Sequence, residues 1–159
     1  MIKYLHGDAT KPQSETEIIT IAHVCNDANK FGSGFAAAIE KAYPGVRQEY
    51  INRAPHRLGD VYDILVGETE YQSLYVAHMV AQIDPYPRDG SCKLQYHALE
   101  TCLNHLKSTW DFYTSKNTTH SIHMPKIGAG LAGGDWNKIE KVIDTVLEGL
   151  PVFVYLWED

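Results

Sequence analysis

A chain of 159 residues with 44% hydrophobic side chains has material for one sizeable core, so a single domain over residues 1–159 is expected. Twenty acidic against 14 basic residues give a formal net charge of −6, which excludes the broad basic face that duplex nucleic acid requires while leaving room for a local nucleotide site. No apolar run approaches the roughly 20 residues that cross a bilayer, and the opening MIKYLHGD lacks the order of a signal peptide. The chain therefore reads as cytoplasmic and without a membrane partner. Cys25, Cys92 and Cys102 are odd in number and sit at no metal-binding spacing, as reduced intracellular thiols would. Eight histidines invite a metal, but His120 and His123 have no cysteine or carboxylate pattern beside them, so no metal and no cofactor is expected.

In chain order, IKYLHG is a short strand and EIITIAHVC a longer apolar, β-branched run suited to a strand buried on both faces. The loop NDANKFGSG leads into FAAAIEKAY, whose alanines and apolar spacing predict a helix ended at Pro44-Gly45. VRQEYINRA reads as a second short helix. GDVYDILVG and LYVAHMVAQ are strands on either side of ETEYQS, a connection of hairpin length. IDPYPRDGS, with two prolines and a glycine, predicts an irregular loop. From Lys93 to about Tyr113, apolar residues at helical spacing predict the longest helix. HSIHM is then a strand, WNKIEKVIDTVLEGL an amphipathic helix and VFVYLW a closing strand. Alternating strands and helices imply an α/β sandwich on a largely parallel sheet, with one antiparallel pair. The compact length suggests a monomer.

Two stretches share one design. NKFGSGFAAAIEK and IGAGLAGGDWNKIEK each run from a strand through a glycine-rich loop into a helix. Amides at a helix start lack intrahelical partners, and glycine lets an anion approach them closely. Two such loops suggest a diphosphate. Neither ends in the Gly-Lys-Ser/Thr of a P-loop, and GAGLAG lacks the acidic residue about 20 positions on that a dinucleotide fingerprint shows.

Taken with GDAT after the first strand, IAHVCNDANKFGSGFAAAI and MPKIGAGLAGGDW follow in an order and at a spacing that resemble the macrodomain family of ADP-ribose-binding modules over nearly the whole chain. The resemblance implies a three-layer α/β/α sandwich with a mixed six-stranded sheet. It also implies that the ligand is ADP-ribose or a phosphorylated or conjugated derivative. By that resemblance Asp8, with Ala9 beside it, holds the adenine amino group, and Asn26 meets a ribose hydroxyl pair, the alternatives being a turn or helix-capping Asp8 and an Asx-turn Asn26. Gly32, Ser33, Gly34 and Phe35 approach the distal ribose and phosphate. Gly128, Ala129, Gly130, Leu131, Ala132 and Gly133 form the opposite wall through their amides. Tyr155 or Trp157, on the last strand, is a candidate to pack on the adenine, with core packing as the alternative.

His23 stands where many members of the family carry Asn, and a histidine there can move a proton near neutral pH. Asp135, between the second glycine loop and its helix, is the other catalytic candidate, with helix capping as its alternative. The His23–Asp135 pairing is similar to the branch that removes phosphate from ADP-ribose 1″-phosphate. Which residue would act as acid and which as base stays open. The competing branch, which removes ADP-ribose from proteins or DNA, uses a lysine and an aspartate at positions that read Gln82 and Ala132 here. Both are counted among the substrate-binding positions. Lys93 is expected to be a solvated first-turn lysine. A non-catalytic reader of ADP-ribose is the remaining class of function.

Overall fold

The computed structural model describes residues 1–83, 93–130 and 132–157. Its elements in chain order are β1 (Ile2–His6), β2 (Ile18–Asn26), α1 (Gly34–Ala42), α2 (Val46–Ile51), β3 (Val61–Glu68), β4 (Ser73–Gln82), α3 (Tyr96–Ser115), β5 (His120–Met124), α4 (Trp136–Val146) and β6 (Val152–Leu156). All six strands form one sheet in the order β1-β6-β5-β2-β4-β3. Only the β3–β4 pair is antiparallel, and the other four pairings are parallel. The sheet is thus mixed, as the two strands flanking ETEYQS suggested. The predicted loop IDPYPRDGS falls, from Asp84 on, outside the described residues, as does Cys92.

Because side chains alternate across a strand, each face of the sheet builds its own core. On one face Ala22, Ala77, Met79 and Ala81 meet Leu99, Leu103 and Leu106 of α3 and Ile139 and Ile143 of α4. On the other, Ile21, Cys25, Val76 and Val80 meet Ile39 of α1 and Val46 and Tyr50 of α2. The result is a three-layer α/β/α sandwich. β2 is buried along nearly its whole length, which explains why its sequence is a continuous apolar run rather than an alternating one. Its exceptions, Thr20 and His23, are polar groups buried with partners.

Toward β1 the second face has no helix over it among the described residues. There His123, Phe153 and Tyr155 carry a polar network: His123 Nδ1 lies 2.8 Å from the Tyr155 hydroxyl, and its Nε2 lies 2.8 Å from Ser121 Oγ. The Gln13 amide donates to the Tyr155 oxygen at 2.8 Å, so the segment after β1 closes this face. Among the described residues no helix is long and apolar enough to cross a membrane.

β1, β6, β5, β2 and β4 run parallel, so their carboxyl ends share one edge of the sheet. Both glycine loops leave from that edge, the first from β2 and the second from β5. Ligands of open α/β sheets bind in the crevice outside these ends.

Candidate functional site

A cavity of about 760 Å³ opens at that edge, within the range of small-molecule sites. One wall is the end of β2 with the first loop, from His23 through Asn26 to Gly32, Ser33, Gly34 and Phe35. The facing wall is the second loop, with Pro125, Lys126, Ile127, Gly128, Gly130 and Ala132. The two glycine-rich stretches, nearly a hundred residues apart in sequence, therefore line one space.

Local chemistry shapes both walls. Gly34 opens α1 at φ +58°, a left-handed conformation that side chains oppose. Ser33, the residue capping α1, makes no side-chain capping bond, so no side chain occupies the first-turn amides. Gly32 and Gly130 have open space where a Cβ would project. The second loop is folded on itself: the Gly134 amide donates to the Gly128 carbonyl at 2.8 Å, and a Cβ on Gly134 would sit 2.6 Å from that same oxygen. Backbone thus fills the places where side chains would block an anion.

The charge of the lining is opposite to that of the chain. Lys30, Arg47, Lys93 and Lys126 all line the cavity, and among the described residues no Asp or Glu does. Arg47 is held by its Nε, which donates to the Phe31 carbonyl at 2.9 Å. A protein of net charge −6 has thus gathered four cations around one crevice, which favours a ligand carrying several negative charges.

His23 lies at the base of the first wall and is 2% exposed. Its Nε2 is 2.6 Å from His78 Nδ1, and His78 Nε2 is 2.9 Å from the Val46 carbonyl. The rings of Phe31 and Phe35 pack on it at 5.8 and 5.6 Å between centroids. Burial first, and the neighbouring His78 second, lower the pKa of His23 well below the ordinary imidazole value, so the ring is neutral at pH 7. Burial likewise lowers His78 to about 4 and raises the Cys25 thiol well above its usual value. His23, Cys25 and His78 place one nitrogen or sulfur each within 4.8 Å of one another, the one cluster among the described residues able to hold a metal. The hydrogen bond between the two imidazoles already commits two of those three atoms.

The other expected site residues divide. Asn26 lines the cavity but serves the loop itself. Its Oδ1 accepts from the amides of Ala28 and Lys30 at 3.0 and 3.1 Å and lies 2.8 Å from the Tyr50 hydroxyl, while its Nδ2 donates to the Lys30 carbonyl at 2.6 Å. Gln82 ends β4 in the lining. Ala129 and Gly133 belong to the second loop without lining the cavity, and Leu131 lies outside the described residues.

Asp8 and Ala9 are also outside the lining. Asp8 Oδ1 accepts from the Thr10 amide at 2.9 Å and the Thr10 hydroxyl at 2.8 Å, an Asx turn, and Ala9 is buried. Tyr155 is buried in the His123 network, and Trp157 is 70% exposed. Asp135 is exposed, away from the lining, and caps α4: its Oδ1 accepts from the Asn137 amide at 3.0 Å. The structure does not bring it together with His23 at the cavity, and the capping reading accounts for it.

Lys93 corrects an expectation in the opposite direction. It precedes α3 rather than opening it, its carbonyl accepts from Ile83 at 2.9 Å, and it lines the cavity. Residue-by-residue reading also passed over Lys30 and Lys126. The signal was present: the two loops begin Lys-Phe-Gly-Ser-Gly and Lys-Ile-Gly-Ala-Gly.

Residues 22–143 match the family model of the Macro domain, most of the chain. The chain belongs to the macro domain family. This macrodomain is 27% identical to an ADP-ribose 1″-phosphate phosphatase of the yeast Lodderomyces elongisporus, over 98% of each chain. It superposes on a macrodomain protein of Streptomyces coelicolor with a TM-score of 0.76 at 32% identity, covering 98% of this chain and 99% of the other. With a protein of Bacteroides thetaiotaomicron the TM-score is 0.84 at 31% identity, over 98% and 99% of the two chains.

Proposed function

We propose that this macrodomain binds ADP-ribose derivatives through its two glycine loops and hydrolyses the terminal phosphate of ADP-ribose 1″-phosphate. The observation that carries the reading is the lining itself, which among the described residues holds four cations, no carboxylate, two glycine loops and one neutral imidazole. The loop amides, with Lys30, Arg47 and Lys126, hold the pyrophosphate and the terminal phosphate, and preorganised donors of this kind stabilise the charge that develops in transfer. Water attacks phosphorus and its proton passes to His23, the bond from phosphorus to the ribose oxygen breaks, and that oxygen leaves as a hydroxyl by taking the proton back from protonated His23. The likeness to the yeast phosphatase supports the choice of substrate. Asp135, occupied as a helix cap, has no part in this step.

Release of inorganic phosphate from ADP-ribose 1″-phosphate tests the reading. The His23→Ala variant is expected to lose about 10²- to 10⁴-fold in kcat, the range a positioned general base supplies, with ADP-ribose affinity little changed. Turnover that survives the substitution removes His23 from the chemistry. Calorimetry tests recognition separately: ADP-ribose binding no tighter than AMP would sink the placement of the distal ribose.

Lys93 favours one second reading. Lys93 borders the same cavity, so removal of ADP-ribose from a conjugate through an imine with the ribose aldehyde form is open to it. Borohydride trapping of a covalent adduct on Lys93, absent in Lys93→Arg, would select this chemistry over phosphate release.

A further inference from the structure

β2 and β4 are adjacent parallel strands with His23 and His78 directly across from each other, so both imidazoles stand on the face covered by α1 and α2. The hydrogen bonds there have only one consistent direction. The Val46 carbonyl can only accept, so His78 Nε2, 2.9 Å away, carries the proton. A neutral His78 then has a bare Nδ1, and His23 Nε2 at 2.6 Å must be the donor to it. A neutral His23 is left with a lone pair on Nδ1. That nitrogen has no hydrogen-bond partner among the described residues, yet the one buried ring nitrogen without a partner is His120 Nδ1. His23 is 2% exposed and lines the cavity, so its unpartnered Nδ1 is left for a group bound there.

We infer that His78 is a positioning residue: it holds His23 in the tautomer with a protonated Nε2 and a bare Nδ1, so that His23 meets the bound nucleotide as a base. Among the described residues, the groups packed on His23 offer its Nε2 proton only one other acceptor, the weak Cys25 sulfur. They are His78 from β4, Phe31 from the loop, Phe35 from α1 and Cys25 from its own strand, whose sulfur lies 3.7 Å away. None is a carboxylate. The acceptor is a neutral imidazole anchored on a main-chain carbonyl, and donation runs one way, from His23 to His78 to the Val46 carbonyl. When His23 takes a proton on Nδ1, both of its nitrogens are donors and the bond to His78 is kept, so the protonated ring needs no rearrangement. The role in turnover rests on the phosphatase reading, whereas the tautomer does not.

Two measurements on the full chain test this. Long-range proton–nitrogen NMR of the imidazoles, in unligated wild type at neutral pH, is expected to show His23 neutral with its proton on Nε2. A proton on Nδ1, or a doubly protonated ring, overturns the inference. The second measurement compares His78→Gln with His78→Leu. A glutamine amide can both accept from His23 and donate toward Val46, whereas leucine can do neither.

His78→Leu is expected to lower kcat for phosphate release tenfold or more, out of the roughly 10²- to 10⁴-fold a general base contributes. KM should stay within about twofold and the His23 tautomers should mix, since no acceptor holds Nε2 protonated. His78→Gln should restore both kcat and the Nε2 tautomer. Equal losses in the two variants, or full kcat in His78→Leu, overturn the positioning role. A wild type that releases no phosphate would instead sink the phosphatase reading, with the NMR result still deciding the tautomer.

Discussion

Acidification should unfold this protein before its carboxylates titrate. His78, His120 and His123 are 0, 3 and 0% exposed, and in each burial is the main cause that lowers the pKa to about 4. In the unfolded chain a histidine titrates near 6.5. Between those values the unfolded state binds protons that the folded state refuses, so stability rises with pH. Each contribution is fully present above 6.5 and is lost as pH falls toward 4. One pKa unit is worth about 1.4 kcal/mol, so each imidazole removes about 3 kcal/mol across the window and the three together about 10. That is comparable with the roughly 5–15 kcal/mol of a whole domain.

His105 works the other way. Its hydrogen bond to Asp63 raises its pKa, giving a stabilisation present at low pH and lost on the alkaline side, but the pair is solvent-exposed and weak. The assay is the urea midpoint measured from pH 7.5 down to 4.5. A steep fall beginning near pH 6.5 is expected, and His120→Leu, which removes the imidazole whose Nδ1 has no partner, should make it shallower. A midpoint that stays flat to pH 4.5 would refute the argument, because the imidazoles would then be taking up protons inside the fold.

Two substitutions probe the loops. Gly134→Ala would place a methyl 2.6 Å from the Gly128 carbonyl oxygen, 2.7 Å from a Leu94 methyl and 2.9 Å from one of Ile139. Leu94 and Ile139 can shift but the carbonyl cannot shift alone, so the second loop must open, and calorimetry should show ADP-ribose affinity falling tenfold or more. Asp135→Ala removes the capping bond of α4 and is expected to cost about 1 kcal/mol in chemical denaturation. Phosphate release by that variant should match wild type, and a hundredfold loss would return Asp135 to the mechanism.

The layer order of the fold was legible because patterning and chain order over-determine it. A strand apolar along most of both faces, two amphipathic helices and a hairpin-length connection admit few packings. Within the site, legibility followed a different rule. The glycine loops were visible because glycine is a backbone statement, and their convergence follows from parallel strands ending at one edge. Asp8 and Asn26 read as ligand groups and Asp135 as a catalytic or capping residue, and the structure shows all three satisfying nearby amides. Short polar side chains at strand ends and helix starts always have that local option, and sequence alone does not reveal which option the chain takes. His78 was missed for the opposite reason. It lies 55 positions from His23, and only the β2–β4 register turns two histidines in apolar runs into a pair.

The cations around the cavity and the neutral base inside it have a joint consequence that kinetics can read. Burial first and His78 second oppose a proton on His23, and among the described residues the lining around it holds Lys30, Arg47, Lys93 and Lys126 but no Asp or Glu. A bound phosphate changes that balance, since an anion beside the imidazole stabilises its protonated form. The acid limb of kcat/KM, which reports the free enzyme, should therefore lie below the ordinary imidazole value of about 6.5. The limb of kcat, which reports the complex, should lie at a higher pH, because the substrate has neutralised the surrounding charge. If His23 is the base, activity falls with acid in both profiles, and high salt should draw the two limbs together by screening the cations. Coincident limbs, or a kcat/KM limb at or above 6.5, would mean that the group losing its proton is not an imidazole held in this cationic pocket.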